Sequence, residues 1–216
     1  MLPSRARFPR TTEKSYRNQL LVDWQDVFNY IGFPAILKPY DGGGWRNVYK
    51  VNNPQELFRA YEETGTLVMV LQECIDFDDF YRCITIGKEN VRVMKYNPRA
   101  PFHQQYEHVE IDYNAPLIAE IVRHCKTINE ALGYDMNSQE YACKDGVPYA
   151  IDFMNPAPDM DANSLHRDNH LWAVQAMAEF CVKVAKEGRQ MPVRYNWQHK
   201  LAEHRAANKP VEVAIK

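Results

Sequence analysis

The chain has 216 residues, 45% of them apolar and 25% charged, so a sizeable core can be buried and wholesale disorder is excluded. Its longest apolar run, about Leu67 to Leu71, is far short of the ~18 residues a membrane helix needs, and no apolar stretch follows the basic Met1 to Arg10 as a secretory signal requires. The formal net charge of −2 is uneven, with +4 over residues 1–20, +5 over 183–216 and −11 between them, an acidic body poorly suited to nucleic acid. Five cysteines without a C-x-x-C pair point to a reducing cytoplasm and away from a structural zinc.

Residues 1–22 have no apolar period and read as a basic arm or the remnant of something longer. Asp23 then caps a helix with Trp24, Val27, Phe28 and Ile31 on one face, stopped by Gly32. Ala35 to Lys38 is a short apolar strand ended by Pro39, Asp41 to Gly44 a flexible turn, and Asn47 to Val51 a returning strand. Asn53 and Pro54 open a second helix, with Glu56 near its third position and Gly65 at its close, and Leu67 to Leu71 is an apolar strand. Phe80 to Ile86 and Val91 to Tyr96 alternate around Gly87 to Asn90 as a hairpin, followed by a loop from Pro98 to Asn114. A helix from Pro116 carries the stripe Leu117, Ile121, Cys125, Ile128 and Leu132 and ends at Gly133. Ser138 to Cys143 and Tyr149 to Met154 flank a second turn. The last helix carries Leu171, Val174, Ala178, Cys181 and Ala185 before Gly188. Helices and antiparallel hairpins alternate in blocks, which predicts an α+β fold. Residues 189–216 form a basic tail.

Four pieces carry chemistry. Lys38, at the end of a buried strand, presents a point charge beside Gly42, Gly43 and Gly44, whose backbone N–H groups can approach an anion closely. Gln72, Glu73 and Ile75, at the end of the next apolar run, can offer main-chain and side-chain groups to a purine edge, and Asp79 can accept from ribose hydroxyls. Glu140 and Asp152 lie on the two strands of the second hairpin among apolar neighbours, where side-by-side carboxylates need a compensating cation. A hard divalent cation suits them, and Asn155 adds an amide oxygen. An odd-length turn centred on Gly146 makes these acids face each other; a two-residue Asp145-Gly146 turn puts them on opposite faces. Arg82, Arg92, Lys95 and Arg99 follow as a run of cations that either face a transferred phosphate or are surface charges. Each piece alone also has a plainer reading, as a solvated turn, strand end or charged face.

In order, the segments GFPAILKPYDGGGW, VLQECIDFDDFYRCITIG and ALGYDMNSQEYACKDGVPYAIDFMNPAPD resemble the ATP-grasp superfamily of ATP-dependent carboxylate–amine or thiol ligases, over about residues 32–160. The resemblance implies two α+β subdomains gripping a nucleotide: a small one over 23–75 with the glycine-rich phosphate loop, and a larger one over 76–188 with a metal site. It implies that Lys38 and the loop Asp41, Gly42, Gly43, Gly44 and Trp45 hold the ATP phosphates. It further implies that Gln72, Glu73 and Ile75 hold adenine, that Asp79 holds ribose, and that Glu140, Asp152 and Asn155 bind Mg2+.

Three departures from the family pattern stand out. The second metal acid and its asparagine are usually separated by one residue, whereas Phe153 and Met154 both lie between Asp152 and Asn155. The D-alanine ligase branch has an arginine two residues before the first metal acid; Ser138 stands there, so either Arg82 or Lys95 takes over the catalytic cation's part or the chemistry differs. The family's N-terminal substrate domain and its earlier ATP-contacting lysine have no room before this region, which leaves open a fragment, a natural short form, or half of a complex, whether a homo-oligomer or a partner supplying that domain. The expected activity is ATP-driven activation of a small-molecule carboxylate as an acyl phosphate, attacked by an amine or thiol. A nucleotide-binding module acting through a partner, and an ATP-dependent phosphotransferase, remain alternatives. His166 and His170, at i,i+4 spacing but without a third ligand, read first as a surface pair at the start of the last helix and only secondarily as a metal-ligating pattern.

Overall fold

The computed structural model describes residues 23–101, 104–107 and 109–190. The basic arm expected over 1–22, and the tail beyond Gln190 with Trp197, His199 and His204, lie outside the described residues.

The first unit begins with α1 (Trp24–Ile31), where Asp23 Oδ1 accepts from the backbone N–H groups of Gln25 and Asp26. Strands β1 (Ala35–Pro39), β2 (Tyr49–Val51) and β3 (Met69–Glu73) form an antiparallel sheet in the order β2-β1-β3. Helix α2 (Pro54–Glu63) connects β2 to β3. It is capped by Asn53, whose Oδ1 accepts from Glu56 N–H, while Glu56 Oε2 accepts back from Asn52 N–H. Ala35, Leu37, Val51, Leu57, Tyr61 and Met69 make this unit's core, with Trp24 and Phe28 packed on it. Each fully buried Leu or Met stabilises by about 1.5–3 kcal/mol. Because strand side chains alternate, burying Ala35 and Leu37 leaves Lys38 half-buried on the sheet's other face.

The second unit is a four-stranded antiparallel sheet, β5-β4-β6-β7, from β4 (Asp79–Ile86), β5 (Asn90–Lys95), β6 (Met136–Lys144) and β7 (Val147–Asn155). Each face has its own core. Tyr81, Cys83, Val93, Tyr141 and Cys143 pack under α3 (Pro116–Leu132). Phe80, Ile84, Ile86, Met94 and Tyr96 pack with Leu165 of α4 (Ala162–Leu165) and with Ala173 and Ala176 of α5 (Arg167–Glu187).

Two helix faces depart from the expected stripes. On α3 the buried positions are Ile118, Ile121, Cys125 and Asn129 rather than the run through Ile128 and Leu132; Asn129 turns inward, where its Oδ1 accepts from Asn137 and Gln139 of β6. On α5 the expected stripe points outward: Leu171 and Val174 are 52% and 53% exposed, and Cys181 is exposed. The buried side instead uses Trp172, Ala173, Ala176, Met177 and Phe180, whose ring lies over Gly87 at the β4–β5 turn. All five cysteines are free thiols. No helix among the described residues is long and apolar enough to cross a membrane.

Candidate functional site

The site is made by irregularity in an edge strand. From the turn, β6 and β7 pair as a two-residue hairpin, Lys144 with Val147 through Tyr141 with Ala150, a register that would separate Glu140 from Asp152. Ile151 is then an extra residue on β7, and beyond it Glu140 stands directly opposite Asp152. A bulge, rather than an odd-length turn, therefore brings the two acids together. A second irregularity accommodates Phe153 and Met154 and sets Asn155 opposite Ser138. Glu140, Asp152, Ser138 and Asn155 consequently share one face of the sheet, with Asp152 and Asn155 exposed at its open edge.

Lys38 reaches this face from the first sheet. Its Nζ donates to the carbonyl oxygen of Ile151 at 3.1 Å, the carbonyl of the bulged residue itself. Arg82 reaches it from β4, where Arg82 pairs with Glu140 across the strands. Its Nε donates to Ser138 Oγ at 3.1 Å and lies 3.9 Å from Glu140 Oε1, with the arginine side chain only 17% exposed. Its guanidinium carbon lies 5.9 Å and 6.0 Å from the ring centroids of Tyr96 and Tyr106, which restrict its movement. Burial holds the Glu140 carboxyl above the ordinary carboxylate range, and Asp152 pushes the same way, against the pull of Arg82 and Lys38.

Asp41, Gly42, Gly43, Gly44 and Trp45 form an exposed loop directly after the Lys38 strand. Gly42 at φ +116° and Gly44 at φ +66° adopt backbone that side chains resist, and nothing lies within 4 Å of a Cβ built on either. Gln72 and Glu73 end β3 opposite Ile36 and Ala35, and Ile75 packs on the core beneath α5. Asp79 and Lys95 are not brought into the acidic cluster. They bind each other on the α3 side, and the Lys95 ammonium sits over the Tyr81 ring at 5.0 Å. Strand alternation separates Lys95 from Arg82, which lies on the opposite face. Arg92 donates to Asn169 Oδ1 on α5, and Arg99 lies 3.7 Å from Asp76 and over the Phe77 ring. His170 Nδ1 is 2.8 Å from Met160 O, and His166 stands edge-on to Tyr106. No group of three or more His, Cys, Asp or Glu side chains that could hold a metal occurs among the described residues.

No family model matches the chain. It is 27% identical over 161 residues to a D-alanine–D-alanine ligase of Polynucleobacter asymbioticus, covering 66% of this chain and 47% of the relative. The chain thus spans about half the length of the curated relatives it matches. Its structure superposes on the D-alanine–D-alanine ligase of Bacillus anthracis complexed with ATP, with a TM-score of 0.62 at 21% identity, over 80% of this chain and 60% of that one. The chain has the ATP-grasp fold. Among other ATP-grasp structures it resembles the ligase PsnB complexed with minimal precursor, Mg and ADP, with a TM-score of 0.51 at 16% identity, over 73% of this chain and 49% of that one.

Within this ATP-grasp fold, the donor set fits a hard cation. Two facing carboxylates and a neighbouring carboxamide are oxygen ligands of the kind Mg2+ takes, and their small number leaves positions for phosphate oxygens. Four contributors were not anticipated: Ile151 as the bulge, the rings of Tyr96 and Tyr106 around Arg82, and Asn137 behind β7. Asn129 in the buried stripe of α3 was the available clue to the last of these, since a polar residue at a core position needs a partner.

Proposed function

We propose that this chain binds Mg-ATP between its two sheets and uses it to join a carboxylate to an amine. The convergence of Lys38 with the Glu140–Asp152 pair at the Ile151 bulge carries this reading. It puts an ammonium from one sheet and two facing acids from the other around one point. That is the charge pattern needed to grip a polyphosphate through a cation. The names of the curated relatives and the ATP-bound structural neighbour support it.

In this reading Lys38 and the N–H groups of the Asp41–Trp45 loop hold the phosphates, and Gln72, Glu73 and Ile75 face the base. Glu140, Asp152 and Asn155 would hold Mg2+, which when bound neutralises phosphate charge and aligns the oxygens. The substrate carboxylate attacks the γ-phosphorus, ADP leaves, and the amine then displaces phosphate from the acyl phosphate with loss of a proton. In the same reading Arg82 stabilises the acyl phosphate. Its Nε donates to Ser138 Oγ, the side chain that stands where the D-alanine ligase pattern has an arginine, and this supports catalysis over a merely nucleotide-binding module. Lys95 is engaged by Asp79 on the far face and takes no part.

The test is ADP release from Mg-ATP across a panel of carboxylates and amines, with D-alanine first on account of the relatives' names. Release that Lys38→Ala and Asp152→Asn each abolish supports the ligase. Unchanged turnover in both variants refutes it. Thermal stabilisation by Mg-ATP with no ADP from any pair leaves the binding module, and a phosphorylated alcohol product would make the chain a phosphotransferase.

A further inference from the structure

We propose that Asn137 is a positioning residue for the metal-binding edge: its carboxamide holds the Phe153–Met154 irregularity in the shape that brings Asn155 level with the two acids. The inference rests on the Mg-ATP reading of the site.

The extra residue that β7 accommodates between Asp152 and Asn155 breaks the ladder, and unpaired backbone groups at an edge strand are free to fray or slip. Asn137 meets this need from the opposite face of β6. Its Nδ2 donates to Phe153 O at 2.9 Å, and its Oδ1 accepts from Asn155 N–H at 2.9 Å. One side-chain amide thus supplies both a donor and an acceptor across the irregular step, as a strand's own peptide groups do elsewhere. The side chain is itself fixed. Asn137 is fully buried, and Nδ2 also donates to Asn129 Oδ1 at 2.9 Å. That oxygen takes a second bond from Gln139 Nε2, which also donates to Cys125 O, while Gln139 Oε1 accepts from Thr85 Oγ1.

Asn129 Nδ2 is buried without a partner, so the network carries one unsatisfied donor. What it secures is the place of one exposed residue, Asn155, opposite Ser138 and beside the Arg82–Glu140–Asp152 row. A ligand with two intervening residues would otherwise fall out of step with its acids, because strand side chains alternate.

Three variants separate this role from a purely structural one. Asn137→Ala removes the clamp. Gln139→Leu cuts the network behind it but leaves both bonds to β7. Asn155→Ala removes the group being positioned. Amide hydrogen exchange of the ligand-free protein should show the Asn155 N–H exchanging at least ten times faster in Asn137→Ala and little changed in Gln139→Leu. Calorimetric titration of ATP at varied Mg2+ should show the Mg2+ needed for half-maximal binding rising about tenfold in Asn137→Ala, the usual scale for outer-shell residues. Binding of ATP in EDTA should be unchanged, and Asn137→Ala should cost nothing further in the Asn155→Ala background. If Asn137→Ala does not fold, Asn137→Ser, smaller but polar, takes its place. A wild type that binds Mg-ATP while Asn137→Ala keeps its Mg2+ dependence, or adds its full loss on top of Asn155→Ala, overturns the positioning role alone. A wild type that binds no Mg-ATP overturns the function and this role together.

Discussion

The ammonium of Lys38 donates to the carbonyl of Ile151, the residue whose insertion into β7 turns Asp152 toward Glu140. One hydrogen bond thus connects the phosphate-binding candidate of the first sheet to the irregularity that builds the acidic pair of the second. Lys38→Ala should cut ADP release by at least a hundredfold, as expected when a preorganised charge is removed from a developing one. Because Lys38 is half-buried and packs in neither core, its melting temperature should stay within about 2 °C of wild type. A large drop in melting temperature would instead make the lysine a structural strut.

Glu140 sets a pH dependence. Burial, then Asp152, raises its carboxyl above the ordinary value, so the folded protein holds this proton more tightly than the unfolded chain does. That contribution to stability is fully present below the ordinary carboxylate pKa and is lost as pH rises through the raised one. Glu140→Gln should therefore raise the melting temperature of the ligand-free protein at neutral pH by about 1–4 °C and flatten the slope in the acid range. The same proton competes with a cation, so the Mg2+ requirement of the wild type should climb as pH falls through that range. A Glu140→Gln protein less stable at pH 7 than wild type would reverse the sign.

Arg82 is held by Ser138 and by two aromatic rings rather than by a matched carboxylate fork. Arg82→Met should lower kcat by about 10²–10³ and leave the KM for ATP within threefold, since it acts on charge that develops after binding. Ser138→Ala keeps the cation but frees its Nε, and a loss of about three- to tenfold is expected. Lys95→Met, on the other face, should leave kcat unchanged; an equal loss there would remove the distinction between the two cations.

Gly87 turns β4 into β5 at φ +64°, and a Cβ there would lie 2.6 Å from Phe180 Cδ2. Gly87→Ala should destabilise by about 2–4 kcal/mol in urea unfolding, combining backbone strain with displacement of a packed ring. On the same helix Leu171→Lys and Val174→Lys should each cost less than about 0.5 kcal/mol, because both side chains already face solvent. Comparable losses from all three would mean that α5 packs through its outer stripe.

Local chemistry was enough to place most elements. Asp23 and Asn53 cap α1 and α2 because their side chains satisfy free N–H groups, and the alternation of apolar residues marks both hairpins. The residue types of the site, a strand-end lysine, a glycine run and two hairpin acids, could likewise be picked out along the chain. Their facing could not. A period-two pattern says which residues share a face only while the register is unbroken, and the bulge at Ile151 reverses the answer for Asp152. For the same reason Lys95 and Arg82, both cations on one hairpin, look alike in sequence and are separated only by the side of the sheet they occupy. The outward turn of the α5 stripe, and the burial of Asn129, Asn137 and Gln139, depend on partners distant along the chain: Phe180 against Gly87, and three carboxamides that meet only when α3 lies across β6. Propensity and capping act over a few residues, whereas the choice of face is made by tertiary packing, apolar for α5 against the β4–β5 turn and hydrogen-bonded for α3 against β6.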